Sequence, residues 1–104
     1  MNHTNFPLKI QQLETFSNRF EAFKLNAENC KVLFAMYPGG SVIEPHSHNT
    51  GNCGVVTRGK LYLTVDGQES EYSPGDWYQV STNQVHSARF LEDTEAIEFW
   101  FSDK

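Results

Sequence analysis

Cysteine is scarce in this chain, positive charge is in deficit, and long apolar runs are missing. Two cysteines among 104 residues, Cys30 and Cys53, are too few for the disulfide framework of a small secreted domain, so a reducing cytoplasm is the expectation. Eight lysines and arginines stand against thirteen acidic residues, a formal net charge of −5. That balance disfavours nucleic acid and anionic membrane surfaces as partners, since both select basic patches. No stretch approaches the ~20 apolar residues of a membrane-crossing helix. The start MNHTNFPLKI also lacks the basic residues and apolar run of a signal peptide. Apolar residues are only 38% of the chain, yet aromatics reach 13%. A core of short, aromatic-rich strands reconciles the two, because each ring buries a large area. The length suits one domain with a single core.

What is present is a succession of strand patterns without a convincing helix. Residues 1–18 read as an N-terminal arm. In it Phe6, Leu8 and Ile10 alternate around Pro7, which predicts an edge strand or extended arm, either crossing to a partner subunit or packing on its own barrel. Residues 19–104 read as one β domain. Strand patterns cover Arg19–Leu25, CKVLFAMY, SVIEPHSH, NCGVVTRG and Lys60–Val65, where Leu61, Leu63 and Val65 share a face. Asp66-Gly67 predicts a tight hairpin whose central residues need positive φ. Gln68–Tyr72 returns, Pro74-Gly75-Asp76 turns, and strands follow at Trp77–Val80, Val85–Leu91 and Ala96–Phe101. Short strands separated by turn signals every ~8–12 residues predict an all-β antiparallel sandwich or barrel.

The chemistry-bearing residues are histidines. On an extended strand i and i+2 share a face, so His46 and His48 point together if HSH is extended. Two adjacent imidazoles can share a metal ion, with His86 as the third donor. The alternative for an isolated H-x-H is a pair of solvated loop residues. Glu44 has the parity of the two histidines and could serve as a general base, although Pro45 interrupts the alternation and an exposed rim position is the alternative. Arg58 has the parity of Asn52 but lies about 20 Å further along at ~3.3 Å per residue. Arg89 is expected to point outward. Gln79 and Glu98 are candidates to orient a histidine from behind. Met36, Tyr37, Tyr78, Phe90, Phe99 and Trp100 are candidate lining or core residues, and His3 reads as part of the tail.

These residues together resemble a small single-domain cupin, a double-stranded β-helix or jelly-roll barrel. The family's first motif, G-x5-H-x-H-x3,4-E-x6-G, is matched by Gly40, His46, His48 and Gly59. The second is matched loosely by Pro74-Gly75-Asp76 and His86. The resemblance covers about residues 31–101. It implies a metal centre on His46, His48 and His86. The usual glutamate ligand is absent: Asn52 stands at one allowed spacing, Cys53 at the other, and because their side chains alternate at most one faces the metal. Asn52 keeps the motif's distance to Gly59.

Three neutral imidazoles leave a divalent ion with a site charge of about +2, where a glutamate would lower it to about +1. Such a site is the stronger Lewis acid and attracts small anions. Imidazole ligation suits zinc, nickel, iron(II) or copper better than magnesium or calcium, and one divalent transition metal, zinc, nickel, iron or manganese, is the expected cofactor. The resemblance then implies a metal-dependent enzyme on a small anionic metabolite, isomerising or ring-opening a sugar acid. An iron-dependent dioxygenase of a small acid or thiol, and a non-catalytic binding or sensing barrel, are the competing readings. Open sheet edges predict a homodimer, with the N-terminal arm and Ile97–Phe101 as candidate contacts.

Overall fold

The computed structural model describes residues 4–101; His3 lies outside them. One helical turn, α1 (Leu8–Gln11), precedes ten strands. They are β1 (Glu14–Ser17), β2 (Glu21–Ala27), β3 (Cys30–Tyr37), β4 (Val42–His46), β5 (Asn52–Arg58), β6 (Leu61–Val65), β7 (Gln68–Tyr72), β8 (Trp77–Val80), β9 (His86–Arg89) and β10 (Thr94–Phe101). They form a six-stranded sheet in the order β1-β2-β3-β10-β5-β8 and a four-stranded sheet in the order β4-β9-β6-β7. Neighbouring strands run antiparallel. The two sheets enclose the core, giving the all-β jelly roll expected from the sequence.

Local chemistry explains the elements. The predicted hairpin joins β6 to β7, pairing Val65 with Gln68, and Asp66 and Gly67 have φ of 52° and 81°, the left-handed values such a turn demands. Alternation sets the inward faces: Leu61 and Leu63 from β6, Leu33, Ala35 and Tyr37 from β3, Val56 from β5 and Tyr78 and Val80 from β8 are all buried. The Tyr37 ring stacks on Phe90 at 4.2 Å between centroids. Each fully buried side chain of Leu33's kind contributes about 1.5–3 kcal/mol.

The N-terminal stretch departs from its expected form. Phe6, Leu8 and Ile10 do not make an extended strand. The amides of Ile10 and Gln11 donate to the Pro7 carbonyl (2.9 and 3.1 Å), closing a helical turn after a proline whose φ of −58° already suits one. Only Phe6 is buried, edge-on to Phe34, while Leu8 is exposed. The strand comes later, as β1 paired with β2. The Asn5 amide donates to the Glu95 carboxylate at 3.0 Å, so this segment packs on its own chain's sheet. β10 is flanked by β3 and β5; its backbone edges are closed, and any contact through Ile97–Phe101 must use its outer face.

Candidate metal centre

Two elements of the four-stranded sheet and one loop bring the histidines together. The extended HSH expected from the sequence is not formed, because β4 ends at His46. The β4–β9 register also shifts between Ile43 and His46, at the point where Pro45 has no N–H to offer the ladder. The shift lets both Ile43 and His46 line the interior although they are three residues apart. It turns Glu44 the other way: its side chain is exposed and borders a shallow outer groove with Tyr62, Glu69 and Arg89. The general-base role expected of Glu44 therefore loses its geometry, and what Glu44 supplies is its carbonyl, 2.8 Å from His46 Nδ1. His48 lies in the following loop, where its own carbonyl accepts the Asn83 amide at 2.7 Å. His86 opens β9 directly opposite His46, with Nδ1 3.0 Å from the Gln84 carbonyl.

The rings converge. Centroid separations are 4.3 Å for His46–His86, 4.6 Å for His46–His48 and 5.3 Å for His48–His86. One nitrogen from each ring lies within 4.8 Å of the other two. A carbonyl only accepts, so Nδ1 of His46 and of His86 must each donate, leaving both Nε2 lone pairs for another partner. His48 Nε2 is buried and makes no hydrogen bond within the protein, an arrangement that costs about 1–3 kcal/mol unless something fills it. Burial first, then the neighbouring His46 and His86 and the cations Arg19 and Lys31, hold the His48 pKa down to about 4. Burial likewise lowers that of His46, against the pull of the Glu44 carbonyl. Three imidazoles close enough to share one ion, two of them oriented from behind by backbone carbonyls, are the donor set a divalent transition metal takes.

The histidines border a cavity of about 500 Å3 between the sheets. Asn52, the first residue of β5, is buried and lines it; Cys53 lies on the opposite, outer face of the strand and does not. Of the two alternatives for the missing glutamate, Asn52 is on the cavity side. Tyr37, Tyr78, Phe90 and Trp100 line the cavity as anticipated, whereas Met36 and Phe99 do not. Gln79 is exposed on the outer side of β8, so it orients no histidine. Arg89 faces outward and pairs with Glu69 at 2.7 Å.

Glu98 has a larger place than the sequence suggested. It is buried in the cavity wall opposite the histidine strands. It does not hold a histidine directly. Its carboxyl accepts hydrogen bonds from the Tyr37 hydroxyl, from Trp100 Nε1 at 3.1 Å and from Tyr78. Trp100 in turn stands edge-on to His48 at 4.6 Å. Burial pushes the Glu98 pKa up to about 7 against these three donors. Burial and the same carboxyl push both tyrosines well above their ordinary range, so they remain donors. Gly54, the cross-strand partner of both Glu98 and Tyr78, makes this cluster possible: a methyl there would lie 2.6 Å from Tyr78 Cζ and 2.9 Å from the Ile97 carbonyl. The parity of Ala96, Glu98 and Trp100 was the available signal. Arg19 and Lys31, which also line the cavity, had no signal at all.

The cupin domain profile matches residues 32–102. An RmlC-like cupin from Shewanella frigidimarina superposes with a TM-score of 0.80 and 18% identity, covering 100% of this chain and 94% of that one. KdgF from a Halomonas species gives 0.78 and 19%, covering 90% and 92%. The cupin domain of Cnp3 from Schizosaccharomyces pombe gives 0.77 and 12%, covering 89% and 71%. No curated protein matches the sequence at a significant level. At these identities the likeness is one of fold.

Proposed function

The chain belongs to the cupin family, and on that footing we propose that it is a metal-dependent enzyme acting on a small anionic metabolite by isomerisation or ring opening of a sugar acid. One observation carries the reading. The buried, unpartnered Nε2 of His48 lies where three imidazoles converge, in a cavity that also presents a buried carboxyl with a pKa of about 7.

A divalent ion such as zinc, nickel, iron or manganese, held by His46, His48 and His86 with Asn52 as a neutral oxygen donor, would supply Lewis-acid polarisation of a bound oxygen. The remaining work falls to the chain itself. Glu98 exists in both protonation states at neutral pH, so it can take a proton from one substrate atom and return it to another. Tyr37, Tyr78 and Trp100 fix its carboxyl in one orientation, which reduces the reorganisation needed when its charge changes. Leu61, Leu63, Val80 and Phe90 line the same cavity, and such apolar lining limits the water that competes for that proton.

The test is elemental analysis of untagged protein purified without chelator, beside His48→Ala. The expected result is about one equivalent of divalent transition metal per chain, lost in the variant, since structural and catalytic sites alike depend on each imidazole. No metal in either protein after reloading would remove the reading. Iron at that stoichiometry would move the chemistry towards oxygen-dependent cleavage, and zinc, nickel or manganese would keep it with isomerisation. The reading places the protein in the cytoplasm as a homodimer. The outer face of the six-stranded sheet, where Trp77 stacks on Phe99, is the candidate contact. A sedimentation mass of a single chain would reject the dimer.

A further inference from the structure

The charge of the cavity is opposite to that of the protein. The chain carries a net −5, yet Glu98 is the one acidic side chain among the cavity's lining residues, while Arg19 and Lys31 both stand there. Of the other described cations, Lys24 pairs with Glu14, Arg58 with Glu95, Lys60 with Glu71 and Arg89 with Glu69, and Lys9 is exposed on α1. Among the described residues, no carboxylate pairs with Arg19 or Lys31. An acidic protein that leaves two cations without carboxylates at the cavity its histidines border keeps them available for something that enters.

Their positions are held by the fold. Arg19 lies in the turn between β1 and β2, beside Asn18 and Phe20, which also border the cavity. Lys31 lies on β3, opposite Trp100 of β10, the residue whose indole meets His48. Cross-strand partners place their Cβ atoms about 5 Å apart, so Lys31 is one strand away from the ring that touches the metal-binding group. The Lys31 ammonium is steadied 5.3 Å above the Phe16 ring, a contact that holds a cation without neutralising it. Arg19 has no such restraint, and its planar fork suits two-point contact with a carboxylate or phosphate.

We propose that Arg19 and Lys31 form an anion subsite, so that the ligand is a small dianion with one acidic group at the histidines and a second carboxylate or phosphate at these two cations. The proposal deepens the function proposed above and rests on it. A cavity of about 500 Å3 is of the size that takes a metabolite of a few carbons. A ligand held at both places would occupy the cavity that Glu98 also lines.

The experiment is calorimetric titration with acetate, malonate, succinate and phosphoglycolate. It uses the metal-free and the nickel-loaded protein, each as wild type, Arg19→Gln, Arg19→Lys and Lys31→Met. Circular dichroism checks the fold of each variant. Loss of a charge-assisted contact is expected to weaken the diacids about tenfold in Arg19→Gln and in Lys31→Met, and to leave acetate on the nickel-loaded protein unchanged. Arg19→Lys should recover part of the loss, and the diacid affinity should fall with added salt. A preference for phosphoglycolate over malonate and succinate would identify the second group as phosphate, and the reverse as carboxylate. Diacids that bind every variant as tightly as wild type would overturn the subsite while leaving the proposed function standing. Absence of binding by every acid, acetate included, to the nickel-loaded protein would overturn both.

Discussion

Strand β10 buries two glutamates three residues apart, and the fold treats them in opposite ways. Glu95 is fully buried on the outer side of the sheet. There Arg58 reaches it at 3.8 Å and the N-terminal segment lends it the Asn5 amide at 3.0 Å. Glu98 faces inward and meets only neutral donors, two phenols and an indole. The odd spacing on an unbroken strand puts the two on opposite faces, and the register shift at Glu95/Ala96 skips a residue of β5, which sets Arg58 opposite Glu95. The contrast separates two uses of a buried carboxyl. One is matched by a guanidinium and ties the arm, β5 and β10 together. The other is surrounded by groups that steady it without fixing its charge, so burial sets its pKa near neutrality. Only the second is suited to proton transfer, and only the second faces the cavity.

The largest effect should come from breaking the matched pair. Arg58→Ala removes the guanidinium and leaves the Glu95 carboxylate enclosed. Removing one partner of a fully buried pair costs roughly 3–5 kcal/mol. Here the Arg58 side chain keeps 28% of its exposure and the Asn5 amide stays, so the expected loss is about 2–3 kcal/mol, a fall in melting temperature on the order of 10 °C. Urea denaturation of the variant measures it. A loss under about 0.5 kcal/mol, the level of an ordinary surface change, would show that Glu95 is not held by this pair, and the contrast along β10 would collapse.

Much of the histidine side was legible in the sequence, and little of the Glu98 side was. His46 and His48 sit within one short stretch, and His86 follows a recognisable turn, so local spacing carried them. The strands were legible for a similar reason: turn residues such as Asp66-Gly67 act over two positions, and alternation in Lys60–Val65 acts over six. The misreadings arise where tertiary structure overrides a local pattern. Glu44 shared the parity of the histidines, but the register shift beside Pro45 put it outside. Phe6, Leu8 and Ile10 alternated, yet only Phe6 found a partner across the sheet. Glu98 was visible as a polar residue at an inward parity, but its donor Tyr37 lies 61 residues away, and no local pattern announces that. Nor does any pattern foretell that Gly54 leaves room for Tyr78 to reach the same carboxyl.

The subtler test compares Glu98→Gln with wild type in chelator-treated protein, following thermal stability across pH. Burial raises the Glu98 pKa from 4.5 to about 7 in the folded chain. A group raised in this way contributes stability that is fully present below about 4.5 and is lost as pH rises through about 7. The histidines act in the opposite sense, since folding lowers the pKa of His48 from 6.5 to about 4, and this favours the folded state as pH rises between those values. The raw wild-type curve therefore mixes two slopes, but the histidine slope is common to both proteins and cancels in their difference. Glutamine also turns one acceptor into a donor towards Tyr37, Tyr78 or Trp100, an offset of about 1 kcal/mol that does not vary with pH. What survives in the difference is the Glu98 titration alone: wild type should lose ground to the variant steadily between about pH 5 and pH 7 and hold level above that. A difference that stays flat through this window would mean that Glu98 keeps an ordinary carboxylate pKa despite its burial. The two buried glutamates of β10 would then be the same kind of residue, and the proton-transfer role would have to be sought elsewhere in the cavity.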